Sequence, residues 1–304
     1  MSIVFEQVLL LFFFAAVGYA LAKGGIVRSE HATVLSKLLV WVFLPASVVQ
    51  TFSSQCTVHY LSTKYTLILW SIGVLAVISV GMFLLSHLLT KQKSDRKVYE
   101  YSMVVANVGY MGYALIAAVF GENALMDAMI FAMPMSLYVY TYGYCLLTGS
   151  DFSPRRLVNP MTVALLVGMI LGLSGLGAHL PSVCMGFLSK AGACMGPVSM
   201  LLVGIVVSEF RMHHLLTNGR LYIVVLVRLL LVPLTVGIAL RPFVSHDLLR
   251  VAVALYAMPC GLNTVVFVRN AGGDCKNGAG LALLSTVFAC LSVPFVLWAL
   301  GLVS

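Results

Sequence analysis

The sequence predicts an all-α polytopic membrane protein of ten transmembrane helices, built as two inverted five-helix repeats with helices 4 and 9 broken and crossing. Three observations predict it. First, of 304 residues 61% are hydrophobic and only 9% charged, with a mean hydropathy of +1.03; soluble domains carry about a quarter of their residues as charges. Second, the apolar residues fall in runs that, at roughly 20 residues per span, fill the chain with about ten crossings and leave no large soluble domain. Third, polar and helix-breaking residues recur at matching places in the two halves.

The runs are 3–21, 34–53, 65–89, 99–120, 124–148, 157–176, 183–208, 220–240, 248–269 and 278–302. A spanning segment must satisfy its backbone polar groups internally, and these runs are too long for barrel strands, so each is read as a helix. The first, Ile3 to Leu21, lacks a basic leader and is followed by a glycine-basic loop where an A-x-A cleavage site would be expected; it reads as a retained span.

Basic residues set the orientation. With the N-terminus outside, the inner loops hold Lys23, Arg28, Lys91, Lys93, Arg96, Lys97, Arg155, Arg156, Arg211, Arg220, Arg269 and Lys276, twelve of the 18. The outer loops hold Lys64, Arg241 and Arg250, and Lys37, Lys190 and Arg228 fall within spans. That bias predicts a multi-pass protein of the cell (inner) membrane with both termini outside. The net charge of +8 is spread through loops and forms no basic face, which excludes nucleic acid as a partner. Seven cysteines form no CxxC pair and read as free thiols. The seven histidines lack metal-ligand spacing, and no catalytic fingerprint occurs, so no enzyme is predicted and no cofactor beyond a possible coupling ion, proton or sodium.

Span 2 contains Leu35-Ser36-Lys37 and then Pro45; span 7 contains Leu188-Ser189-Lys190 and then Pro197. An offset of 152 residues brings Asn107 onto Pro259, Met111 onto Asn263 and Gly121 onto Gly273. These matches divide the chain into repeats 1–150 and 151–304. Five spans per unit make the copies inverted, an architecture common among secondary transporters.

Span 4 carries Asn107, Gly109, Tyr110 and Gly112 near its middle, and span 9 carries Pro259, Gly261, Asn263 and Thr264 at the corresponding depth. Proline removes a donor and clashes with the preceding turn, and glycine tolerates non-helical angles, so both helices are expected to break. Free N–H ends at such a crossing suit an anion, and free carbonyl ends suit a cation. Arg228, five residues before Pro233 in span 8, either neutralises a substrate carboxylate, snorkels to the inner interface or bonds backbone carbonyls. Ser136, Ser285 and Thr286 are candidates to line the same cavity, although hydroxyls in membrane helices usually bond their own backbone. Glu6 and Asp127, near outer span ends, read as interfacial and solvated. Tyr138, Tyr140, Tyr142 and Tyr144 alternate around a helix and cannot form one stacking face.

Several of these segments, ANVGYMGYALIAAVFGENAL, AMPCGLNTVVFVRNAGGD, LLSTVFACLSVP, VRLLLVP and VFLPASV, resemble the auxin efflux carrier family, which includes PIN-type auxin transporters and bacterial permeases. The loop between spans 5 and 6 runs only from about Gly149 to Arg156, as in a compact prokaryotic member. The resemblance implies a transport domain of helices 3–5 and 8–10 moving against a scaffold of helices 1, 2, 6 and 7. It also implies a small organic anion as substrate, carried by elevator-type alternating access, and a homodimer in the bilayer. PIN-type members have a proline at both crossings; here span 4 has none. Two alternatives accompany this reading: a sodium-coupled symporter of a bulky amphipathic solute, and a non-transporting sensor or partner subunit.

Overall fold

The computed structural model describes residues 2–209 and 218–303; Arg211, read above as an inner-loop residue, and His213 and His214, two of the seven histidines, lie outside the described residues. The chain runs through α1 (Ser2–Lys23), α2 (Glu30–Gln55), α3 (Val58–Lys64), α4 (Thr66–Leu89), α5 (Lys93–Val104), α6 (Val108–Phe120) and α7 (Glu122–Phe131). It continues through α8 (Met133–Thr148), α9 (Pro160–Leu173), α10 (Ser182–Ser208), α11 (Gly219–Leu240), α12 (His246–Ala257), α13 (Asn263–Asn270) and α14 (Lys276–Ala299). Among the described residues the extended backbone that pairs is a single antiparallel bridge, Ala106 with Cys260.

Among the described residues six helices, α1, α2, α4, α10, α11 and α14, are long and apolar enough to cross a membrane, and α7 with α8, bent by 44° at their junction, passes the same test only when taken together. The other expected spans fall short for identifiable reasons. Runs 99–120 and 248–269 are each two helices separated by non-helical residues, 105–107 and 258–262. Run 157–176 yields only α9, which starts at an Asn159 cap that accepts from Met161 and Thr162 N–H, with Pro160 in its first turn, and stops before Gly175 at φ +73°.

Two prolines inside spans are accommodated by widened turns. Leu39–Phe43 and Val227–Leu231 are π-helical, and Pro45 and Pro233 each follow two residues later. A proline ring clashes with the carbonyl four residues back, and one extra residue per turn opens space for it.

Small residues allow two close helix pairs. A Cβ at Gly204 of α10 would come within 1.9 Å of the Ala15 carbonyl oxygen on α1, and one at Gly18 within 2.2 Å of the Leu201 oxygen. On α9 a Cβ at Gly172 would come within 2.4 Å of the Phe52 oxygen on α2. Backbones that approach this closely gain dispersion contacts where the bilayer offers no hydrophobic driving force. Against these sit α4 to α8 and α11 to α14, with α12 buried from Val251 to Ala257 between α7, α11 and α14.

The structure corrects one placement. Asp127, expected to be solvated, is 6% exposed: it accepts from Lys64 Nζ at 2.8 Å and from the Tyr60 hydroxyl. Both partners sit on α3, a short helix after span 2 that the hydropathy did not resolve and that brings them to the start of α7. Burial, with the bond to Asp127, pushes the Tyr60 phenol well above its ordinary pKa. Glu6 is exposed, as expected.

Candidate functional site

The two breaks cross. Pro259 has no N–H, and its carbonyl accepts the Asn107 N–H at 2.8 Å, beside the Ala106–Cys260 bridge. The Cys260 N–H donates to Ser285 Oγ at 3.0 Å. Val105 at φ −94°, ψ 116° and Met258 at φ −64°, ψ 149° are extended. Span 4 therefore breaks without a proline, because a strand of span 9 supplies the partner its backbone loses.

Each break leaves two helix ends, and they are treated oppositely. At the C-terminal ends, Arg228 is wholly buried, which excludes the snorkelling alternative. Its Nε donates to the Met258 carbonyl at 3.2 Å and its Nη1 to those of Met103 and Val104 at 3.2 and 3.4 Å. Its guanidinium carbon lies 5.8 Å from the Tyr256 ring centre. One cation thus neutralises the partial negative charge of both half-helices, α5 and α12. The π turn Val227–Leu231 carries it there.

The N-terminal ends, at Val108 and Asn263, have no side-chain cap. The Asn107 carbonyl accepts from Met111 and Gly112, and the Leu262 carbonyl from Val265 and Val266. The leading amides of both helices are left without an intrahelical acceptor. Residues bearing them, Val108, Gly109, Tyr110 and Asn263, line a small cleft of about 90 Å³ together with Asn107 and Gly261. Its other walls are Val40 and Leu44 of α2, Met161 of α9, and Met135, Ser136, Val139 and Tyr140 of α8.

Of the residues singled out from the sequence, Asn107, Gly109, Tyr110, Ser136, Gly261 and Asn263 come together at this cleft. Asn263 is oriented by Tyr101, to whose hydroxyl it donates at 3.0 Å. The remainder lie behind it. Gly112 packs under Met258, with room for a Cβ only at 3.2 Å; Thr264 Oγ1 donates to the Gly261 carbonyl at 3.3 Å, and Thr286 Oγ1 to that of Ala282 at 2.7 Å. Pro259, Ser285 and Arg228 hold the crossing rather than line the cleft. The sequence did not single out Tyr101, Tyr113 or Met161, and Tyr140 was read only as one of four tyrosines that form no single stacking face. Tyr140 lies one turn after Ser136, a spacing that places both on one helix face; Met161 carries no such signal.

Tyr113 also lines a second cavity, of about 400 Å³, walled by α1, α2, α6, α7 and α10 and holding Gln7, Ser47, Gln50, Glu122 and Ser189. The Tyr113 hydroxyl is buried and has no hydrogen-bond partner among the described residues. The tyrosines of α8 divide between two faces, Tyr138 against Tyr142 at 5.3 Å and Tyr140 and Tyr144 against Phe267 at 6.3 and 5.1 Å.

Comparison with known proteins agrees with this architecture. The chain matches the family described as membrane transport protein over residues 3–154 and 150–297. It is 25% identical over 308 aligned positions, covering 98% of both chains, to an uncharacterized transporter of Methanothermobacter thermautotrophicus. It is 26% identical over 132 positions, 41% of each chain, to an uncharacterized transporter of Methanocaldococcus jannaschii. With several apolar membrane-crossing helices and a family match from end to end, the chain is a transporter and not an enzyme: it belongs to the auxin efflux carrier-type membrane transport protein family.

Proposed function

We propose that this protein is a secondary transporter of a small organic anion, a carboxylate, working by elevator-type alternating access at the crossing of α5–α6 with α12–α13. The observation that carries the reading is the pair of uncapped helix N-termini facing one cleft while Arg228 occupies both C-terminal ends. Two sets of leading amides add partial positive charge and N–H donors at the same place, which suits a carboxylate.

Ten spans in two inverted repeats, 1–150 and 151–304, account for the packing. If helices 1 and 2 of the first repeat correspond to 6 and 7 of the second, the close pair α1–α10 and the close pair α9–α2 are the same contact seen twice. In this arrangement α1, α2, α9 and α10 form the scaffold, and the cleft lies where α2 and α9 face the crossing. The termini lie outside, and two copies associate in the bilayer. Arg228 supplies the positive charge that carbonyl ends would otherwise draw from sodium, so transport is sodium-independent, unlike the bile-acid-type alternative.

The test is a thermal-shift screen of purified protein against small carboxylates, in sodium and in choline buffer. A true ligand stabilises by mass action, by about 2.7 kcal/mol at a hundredfold excess over Kd. Asn263→Ala is expected to remove both the shift and transport in vesicles while leaving expression intact; transport at the normal rate by that variant removes the crossing from the mechanism.

A further inference from the structure

Two carboxylates are buried among the described residues, Asp127 and Glu100, at 6% and 4% exposure. Asp127 is paired with Lys64. Glu100 has no ion-pair partner within 4.0 Å among the described residues, and its one hydrogen bond there comes from the Tyr142 hydroxyl to Oε1, at 2.8 Å. It lies on α5, about 7.5 Å of helix rise before the break. It is the second residue of the run 99–120, and an unpaired carboxylate buried in a membrane helix is costly and marks a functional position unless something compensates it.

The groups facing Glu100 are few. On its own helix Arg96 sits one turn earlier; α4 contributes His87, and α8 contributes Tyr142 and Tyr138. Ser79 of α4 lies beside Tyr138, and the oxygens of both are buried without a well-formed hydrogen bond. The helices of spans 8, 9 and 10 meet α5 elsewhere: Arg228 at Met103 and Val104, Asn263 at Tyr101, and Asn277 at Asp95.

This small polar pocket touches the cleft by two routes. Tyr142 belongs to the π turn Val139–Gly143, which also carries Tyr140 of the cleft wall. The next residue after Glu100, Tyr101, accepts from Asn263, and Gly143 lets its ring approach: a Cβ there would lie 2.7 Å from it.

We propose that Glu100 is the proton-binding site of the transport cycle, deprotonated when the cleft is empty and protonated when the cleft holds its anion. This rests on the anion-carrier reading. Like charges repel through a low-dielectric interior, and the Tyr140–Tyr142 turn and the Asn263–Tyr101 bond join Glu100 to the cleft, so the two together accommodate one negative charge, either that of Glu100 or that of the cargo. Anion entry draws one proton from water onto Glu100, and anion departure returns it. The empty and loaded forms then carry the same net charge, and anion and proton travel in the same direction. Apparent affinity for the anion accordingly falls as pH rises.

The first test needs no substrate: pH-difference infrared spectroscopy of the full chain in phosphatidylcholine vesicles. The expected result is a protonated-carboxyl carbonyl band that grows as pH is lowered and is missing in Glu100→Gln, which keeps a carbonyl for Tyr142. Identical titrating bands in the two proteins overturn the proposal. Should the Gln variant fail to reconstitute, Tyr142→Phe must shift the midpoint of the band; an unmoved midpoint overturns the proposal as well. The same vesicles are then given a proton gradient and radiolabelled lactate, a monoanion. Wild type is expected to accumulate the label severalfold, whereas Glu100→Gln exchanges it without accumulating it. Equal accumulation by both refutes the proton site. Failure of both to exchange lactate counts against the carrier reading for that probe, and the infrared result alone then decides Glu100.

Discussion

Arg228 shows how one side chain stabilises a backbone that has left its helix. Three carbonyls at the ends of α5 and α12 accept from it, and leaving buried acceptors unmet costs about 1–3 kcal/mol apiece. Arg228→Met is therefore expected to lower stability by about 3 kcal/mol or more, read as thermal unfolding in detergent. Arg228→Lys, which keeps the charge but loses the fork, falls between. Gly109 gives the opposite expectation: a Cβ there meets only Leu44 side-chain carbons at 3.9 Å. Gly109→Ala changes stability by less than about 1 kcal/mol while placing a methyl in the cleft, so ligand-induced stabilisation is lost in a protein that unfolds normally. From the sequence, Arg228 was visible as an anomaly in an aliphatic run, but its partners were not, since they lie 30 and about 125 residues away.

At the scale of elements, the breaks in spans 4 and 9 have different origins. Pro259 makes an α12–α13 interruption legible in the sequence, because it cannot donate. Nothing in Val105-Ala106-Asn107 forbids a helix; the interruption there depends on the bridge to Cys260 and on the Pro259 carbonyl. Tertiary pairing overrides local propensity, which is a weak prior. The close pairs α1–α10 and α2–α9 rest on glycine. Gly204→Ala drives a Cβ to 1.9 Å from a backbone oxygen that cannot swing away, whereas a Cβ at Gly81 of α4 meets nothing within 4 Å. The first variant is expected to fail to fold or to unfold many degrees lower, and Gly81→Ala to match wild type, in a side-by-side fluorescence-detected size-exclusion assay.

For the whole molecule, the ion pair between Glu209, the residue after α10, and Arg269 on α13, at 2.6 Å, ties α10 to the second half of the interrupted span 9. It is partly exposed, so Glu209→Gln is expected to change stability by less than about 1 kcal/mol. Under the proposed elevator mechanism this pair bridges the scaffold and the moving group, so a changed transport rate in vesicles with unchanged unfolding is the outcome that mechanism expects. The sequence by itself determined the membrane setting, the run of spans, the charge bias and the depth of the two polar segments, because hydropathy, helix-breaking residues and basic loops act locally along the chain. Only the tertiary structure decided that span 4 opens without a proline, that Arg228 turns to carbonyls of both spans, that Asp127 is buried beside α3 and that the Tyr142 hydroxyl donates to Glu100. Each of these rests on a partner distant along the chain, and the energy of such a pair exists only once packing has excluded water and brought the two together.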